Sequence, residues 1–180
     1  MQNIREIITL VEAASGSDIT QVKLDYGMGA LSPVISRSTM DNHYGKLYKK
    51  YVETYNKNHA DSFNAAGAEL HSIYFSQFKR PGSSIQPRGK IADIIHRHYS
   101  DFLTFKKAMK EQANNFHGSG WLYLSKSGQI RTIQNHAHRT DIALLIDLWE
   151  HAYQNDHGSK DKYMDAIWRI MDWDKINHRL

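Results

Sequence analysis

The run Ile142-Ala143-Leu144-Leu145-Ile146 passes without interruption into Asp147-Leu148-Trp149-Glu150-His151. An apolar stretch this short, with no polar alternation, reads as a strand buried on both faces. Such a strand carries whatever follows it towards the interior. Here that is a carboxylate and an imidazole, four residues apart. A hard oxygen beside a borderline nitrogen is half of a transition-metal site. Alone the pair is weak, because Asp-x-x-x-His arises by chance in many helices and loops. The chain contains no cysteine, so disulfides and thiolate sites are excluded. Any metal must be held by His, Asp, Glu or solvent.

The rest of the pattern gives these donors a setting. Ile4, Ile7, Ile8 and Val11 recur at helical spacing before a break at Gly16-Ser17, so 1–20 reads as a helical N-terminal extension. Residues 31–58 predict one long helix with Ser38 as its N-cap, and 63–78 predict a second, joined by a short loop. Together they form an antiparallel hairpin. Arg80-Pro81-Gly82 to Pro87-Arg88-Gly89 is the clearest linker, and a subdomain boundary is placed there. The expected division is an extension at 1–20, a hairpin domain at 21–85 and an α/β domain at 86–180. Beyond the linker the spacing predicts helices over 91–99 and 101–114. Strands follow at 121–124, 130–133 and 142–146, then a helix over 162–171. The fold class is α+β: a helical hairpin followed by a domain with a small, three-stranded antiparallel sheet.

Eleven histidines are present, and most must be bystanders. Two stand on the predicted hairpin: His43, in Asn42-His43-Tyr44-Gly45-Lys46, and His71, ending Phe63-Asn64-Ala65-Ala66-Gly67-Ala68-Glu69-Leu70-His71. With Gly118-Ser119-Gly120-Trp121 and the Asp147–His151 segment, these signatures, in this order, resemble the iron/manganese superoxide dismutase family. The resemblance runs from about Leu24 to the C-terminus. It implies that His43, His71, Asp147 and His151 bind one Fe or Mn ion per subunit. The implied activity is disproportionation of superoxide to dioxygen and hydrogen peroxide. Three neutral nitrogens and one carboxylate suit a divalent or trivalent first-row metal with room for a solvent ligand. The resemblance further makes Tyr51 a gateway tyrosine. It makes Trp121 and Trp149 the walls of the metal pocket. Glu150 becomes a group that reaches across a two-fold dimer to the partner's ligand histidine.

The chain departs from the commoner pattern where the resemblance places a glutamine against the bound solvent. The helix position holds Gly67, and the strand position, in Thr132-Ile133-Gln134-Asn135-His136, offers His136. An imidazole N–H can donate the same hydrogen bond; Gln134 is the rival if the register slips, and a polar loop histidine is the bland reading. Leu47 stands where the family has a second histidine, and Gln154 replaces a tyrosine. The segment 156–163 is one residue shorter than usual.

Composition bounds the alternatives. A net charge of +4 raises nucleic-acid binding, but the lysines are mixed with acids on helical stretches, the usual solvated face. No apolar run reaches the length of a membrane span, and the first residues lack a secretory pattern. The expected setting is therefore cytoplasmic, without nucleic-acid or membrane partners, as a homodimer. The competing reading is a binding or structural module that keeps the fold with weak or no dismutase activity. Leu47, Gln154, the short loop and the N-terminal extension favour it; the intact ligand set argues against it.

Overall fold

The first arm of the hairpin begins later than its apolar spacing predicts. The computed structural model describes residues 16–82 and 85–180, and 28–34 form turns rather than helix. Helix α1 (Arg37–Asn42) is capped by Ser36, not Ser38: the Ser36 hydroxyl accepts the Thr39 N–H at 3.1 Å. The arm then widens into a π-helical stretch, His43–Tyr48, before α2 (Lys49–Lys57). Most of the expected extension lies outside the described residues. Residues 16–20 carry no helix, and Ile19 is tied to the hairpin by a two-way hydrogen bond with the Asn56 amide, at 2.9 and 2.8 Å.

Helix α3 (Ser62–Ser76) is the return arm. Asp61 caps it by accepting the Asn64 N–H at 2.9 Å. It is buried all the way round from Ala66 to Phe75, which marks a central element rather than an amphipathic one. After the linker come α4 (Lys90–Tyr99) and α5 (Phe102–Asn115), the second capped by Asp101 on the Thr104 N–H. Gly89, at φ 67°, lies so close to the Asn177 amide that a Cβ would meet it at 2.8 Å. That approach lets the Asn177 side chain accept the Ile91 N–H and dock the start of α4.

Strands β1 (Gly120–Ser125), β2 (Ile130–Gln134) and β3 (Ile142–Asp147) form an antiparallel sheet in the order β2-β1-β3. β1 and β3 are buried along their whole length, as the unbroken apolar runs require, and Trp121 pairs with Asp147. β3 is the sheet's edge, yet its free side is covered. The Gln77 carboxamide accepts the Leu145 N–H at 3.2 Å and donates to the Leu145 carbonyl. Arg179 donates to the Ala143 carbonyl and to Gln77 Oε1. Helices α6 (Glu150–His157), α7 (Lys160–Ala166) and α8 (Trp173–Asn177) close the chain, with a 3-10 turn at Ile167–Ile170. Thus the helix expected over 162–171 ends early, and α6 and α8 were not expected. A single apolar core runs from the hairpin into the sheet. No described helix is long and apolar enough to cross a membrane.

Candidate metal centre

Four elements deliver four donors to one point. His43 opens the π-helical stretch, His71 lies in the buried middle of α3, Asp147 ends β3 and His151 sits in the first turn of α6. One ligating atom from each lies within 4.8 Å of every other. Asp147 Oδ2 is 3.1 Å from His43 Nε2, 3.4 Å from His151 Nε2 and 3.8 Å from His71 Nε2. Despite these short separations, none of the four atoms has a hydrogen-bond partner, and all are buried. Leaving buried polar atoms unpaired is costly unless something else satisfies them. Convergence without hydrogen-bond geometry is what a shared cation requires, so the residues present fit one metal ion with N₃O ligation.

The outer atoms of two of the four are fixed. His71 Nδ1 donates to the Gly67 carbonyl at 2.7 Å, because a carbonyl can only accept. The proton is therefore on Nδ1, and the Nε2 lone pair is free for the metal. Asp147 Oδ1 accepts the Trp149 N–H at 2.8 Å, leaving Oδ2 for the cluster. Burial holds the His43 imidazole below its usual range and His71 well below it, so both are neutral and ligand-ready. Burial alone would raise the Asp147 carboxyl, but short contacts with His151 and His43 outweigh it and keep the group ionised.

Aromatic rings enclose the centre. Trp121, fully buried, meets His71 edge-on at 4.9 Å, and Tyr51 lies 5.1 Å from the same ring. Trp149 stacks on His151 at 5.8 Å and on His136 at 5.0 Å. His136 is buried, 4.8 Å from Tyr51 and 5.9 Å from His71. Its Nδ1 accepts the Trp121 indole N–H at 3.1 Å, and an indole can only donate. The proton of neutral His136 is thus on Nε2, a buried donor with no hydrogen-bond partner. Gln134 is exposed and donates to the Ser119 carbonyl instead. Burial pushes the His136 pKa down to about 4.

Glu150 is exposed at the start of α6, Gln154 is exposed on the same helix, and Leu47 is half-buried. Sequence reasoning missed Tyr48, which stacks on His71 at 5.6 Å with an interplanar angle of 13°. It also missed the pair of Glu69 and His138 described below. Tyr48 follows His43 by five residues, a spacing that an α-helix would turn elsewhere; the π-helical stretch changes that register.

A helical hairpin joined to a three-stranded α/β unit, with a three-histidine, one-aspartate centre between them, defines a protein built to hold one first-row metal ion. Residues 87–179 match the description "Iron/manganese superoxide dismutases, C-terminal domain", and residues 19–62 match the "alpha-hairpin domain" of the same family. The chain belongs to the iron/manganese superoxide dismutase family. Among its relatives, "Superoxide dismutase [Fe]" of Bacteroides fragilis is 33% identical, over 88% of this chain and 97% of that protein. "Superoxide dismutase [Mn/Fe]" of Porphyromonas gingivalis is 32% identical over 88% and 97%. "Superoxide dismutase [Fe]" of Pyrobaculum aerophilum is 32% identical over 87% and 89%.

Proposed function

We propose that this chain is a superoxide dismutase, converting two superoxide ions and two protons to dioxygen and hydrogen peroxide at one Fe or Mn ion. The observation that carries this reading is the convergence of His43, His71, Asp147 and His151, buried and otherwise unsatisfied, in a chain of this family. The one-electron exchange is the chemistry that iron or manganese would supply when bound there. The protein's own residues do the rest. His43, His71 and His151 offer ring nitrogens, and Asp147 offers the compensating charge. Trp121, Trp149 and Tyr51 crowd the centre and keep bulk water out of it. His136, with its proton held on Nε2, presents a hydrogen-bond donor in the pocket. Tyr51, half-buried beside it, provides a hydroxyl on the approach from solvent. Such hydrogen bonding sets the balance between the two half-reactions.

The same reading includes a two-fold homodimer, in which exposed Glu150 engages the partner's site. A cytoplasmic location completes it, and cell fractionation checks that part. Leu47 and Gln154 remove two hydrogen-bonding groups together, so the expected dimer edge is altered without leaving one of them unpaired.

The experiment is reconstitution of purified protein with iron and, separately, with manganese, followed by metal analysis and a dismutation assay on the same samples. One ion per chain with fast turnover is the expected result. Stoichiometric metal without turnover would instead favour a retired enzyme, and no bound metal would leave only a fold reused for binding.

A further inference from the structure

The loop that carries His136 is held more firmly than a connection between strands requires. Asn135 adopts a left-handed backbone with φ 54°, and its N–H donates to the Ser119 carbonyl at 2.9 Å. Asparagine enters that region more readily than most residues, so the turn suits its own sequence, and the Ser119 contact ties it to the start of β1. On the far side of His136, His138 Nδ1 lies 2.6 Å from Glu69 Oε2. Glu69 is 9% exposed, within the buried middle of α3, whereas the His138 side chain is 52% exposed. Burying a carboxylate there is costly, and pairing it with an exposed imidazole returns little stability. Packing therefore gives a poor account of Glu69.

Placement gives a better one. Residues two apart on a helix point about 200° from one another. The loop consequently grips α3 from two directions, with His136 against Gly67 and His138 on Glu69. A grip of this kind fixes where the loop sits relative to the helix that carries His71.

We propose that Glu69 and His138 are positioning residues whose pairing holds His136 wedged over Gly67, with Nδ1 on the Trp121 indole and its Nε2–H kept beside the metal ligands. The pair touches neither metal nor substrate and acts through His136 alone. The inference rests on the metal-centre reading above.

The test uses the full chain and the variants Glu69→Ala, Glu69→Gln, His138→Ala and the double alanine variant. In metal-free protein, the Trp121 indole N–H resonance reports its bond to His136. In iron-loaded protein, the midpoint potential reports the hydrogen bonding around the metal. Both alanine variants should keep one iron per chain and move the indole resonance towards that of an unbonded indole. Each should shift the one-electron equilibrium at least tenfold, about 59 mV. The double variant should shift no further than either single one, because both changes break one link. Glu69→Gln, which keeps an acceptor for an imidazole N–H, should fall between wild type and Glu69→Ala. His138→Ala sits at an exposed position and should fold normally. If it leaves both resonance and potential unchanged, or if the single effects add, the proposal is wrong. Loss of iron from either alanine variant also overturns it, because the pair would then serve the ligands rather than His136. A wild-type chain that binds no iron removes the metal-centre reading instead, and the indole measurement still decides the positioning role.

Discussion

Gly67 and His136 share one small volume: a Cβ on residue 67 would lie 3.3 Å from His136 Cδ2 and 3.0 Å from Tyr51 Cδ1. The missing side chain on the helix and the imidazole from the loop are thus one arrangement. Gly67→Ala should displace both rings by a few tenths of an ångström, costing about 1–3 kcal/mol as overpacking. His136→Ala should keep the metal but lower turnover by roughly 10–100-fold, the usual range for loss of a group that hydrogen-bonds around a metal. Adding Gly67→Gln to His136→Ala, which puts an amide into the vacated space, should recover part of that loss. Urea unfolding checks the first, and steady-state dismutation with metal content, measured together, checks the other two.

The metal-free protein should be acid-labile over a defined range. Burial depresses His43, His71 and His136, the last to about 4, while in the unfolded chain each titrates near 6.5. Below pH 6.5 the unfolded state therefore binds protons that the folded state refuses. Stability is fully present above that pH and falls as the pH drops towards 4, by up to about 1.4 kcal/mol per unit for each histidine. Asp147, whose carboxyl is depressed, adds a further loss below its unfolded value near 3.8. Urea midpoints of metal-free protein from pH 7.5 to pH 4, on a grid of ~0.5 unit, should show this decline. His136→Gln should make the decline shallower.

Metal binding should stabilise the fold through the same four residues. An ion that binds only the native state adds about 2.7 kcal/mol when free metal is a hundredfold above Kd. Wild-type protein should therefore melt at a higher temperature in the presence of iron or manganese. Asp147→Asn retains the volume but removes the charge that three neutral imidazoles need. Its melting temperature should not respond to either metal. Calorimetry with and without metal decides this, independently of any assay of activity.

What could be read from the sequence follows the strength of each local signal. The run 142–146 forces a doubly buried strand, and β3 is that strand, ending on Asp147 as expected. The helices of the hairpin were legible from their spacing, but the π-helical stretch was not, because its wider turn is set by how His43 and Tyr48 must pack around His71. α6 escaped notice because Ala152 and Tyr153 alone are buried on it, which leaves no apolar stripe to read. Glu69 was unremarked for the opposite reason. On a helix buried all round, periodicity cannot say which polar residue has a partner across the chain.

Gln77 offers the last prediction, since one carboxamide joins the helix of His71 to the strand of Asp147. It is fully buried, and it satisfies both backbone groups of Leu145 on the open edge of β3, with Arg179 donating to its oxygen at 3.0 Å. Gln77→Ala would leave the Leu145 N–H and carbonyl without partners in a dry environment. Each such group costs about 1–3 kcal/mol, so a loss at the upper end of that range or beyond is expected. Arg179→Ala should cost less, because the Gln77 contacts to Leu145 survive it. The edge should also loosen locally before it loosens globally. Amide exchange at Leu145 should accelerate more than exchange at Tyr123, which faces it across the β1–β3 ladder. Because Asp147 lies two residues further along the same strand, chelator extraction of the metal should be faster in Gln77→Ala than in wild type. Faster extraction with unchanged Leu145 exchange would mean that Gln77 acts on the site by another route than the strand edge.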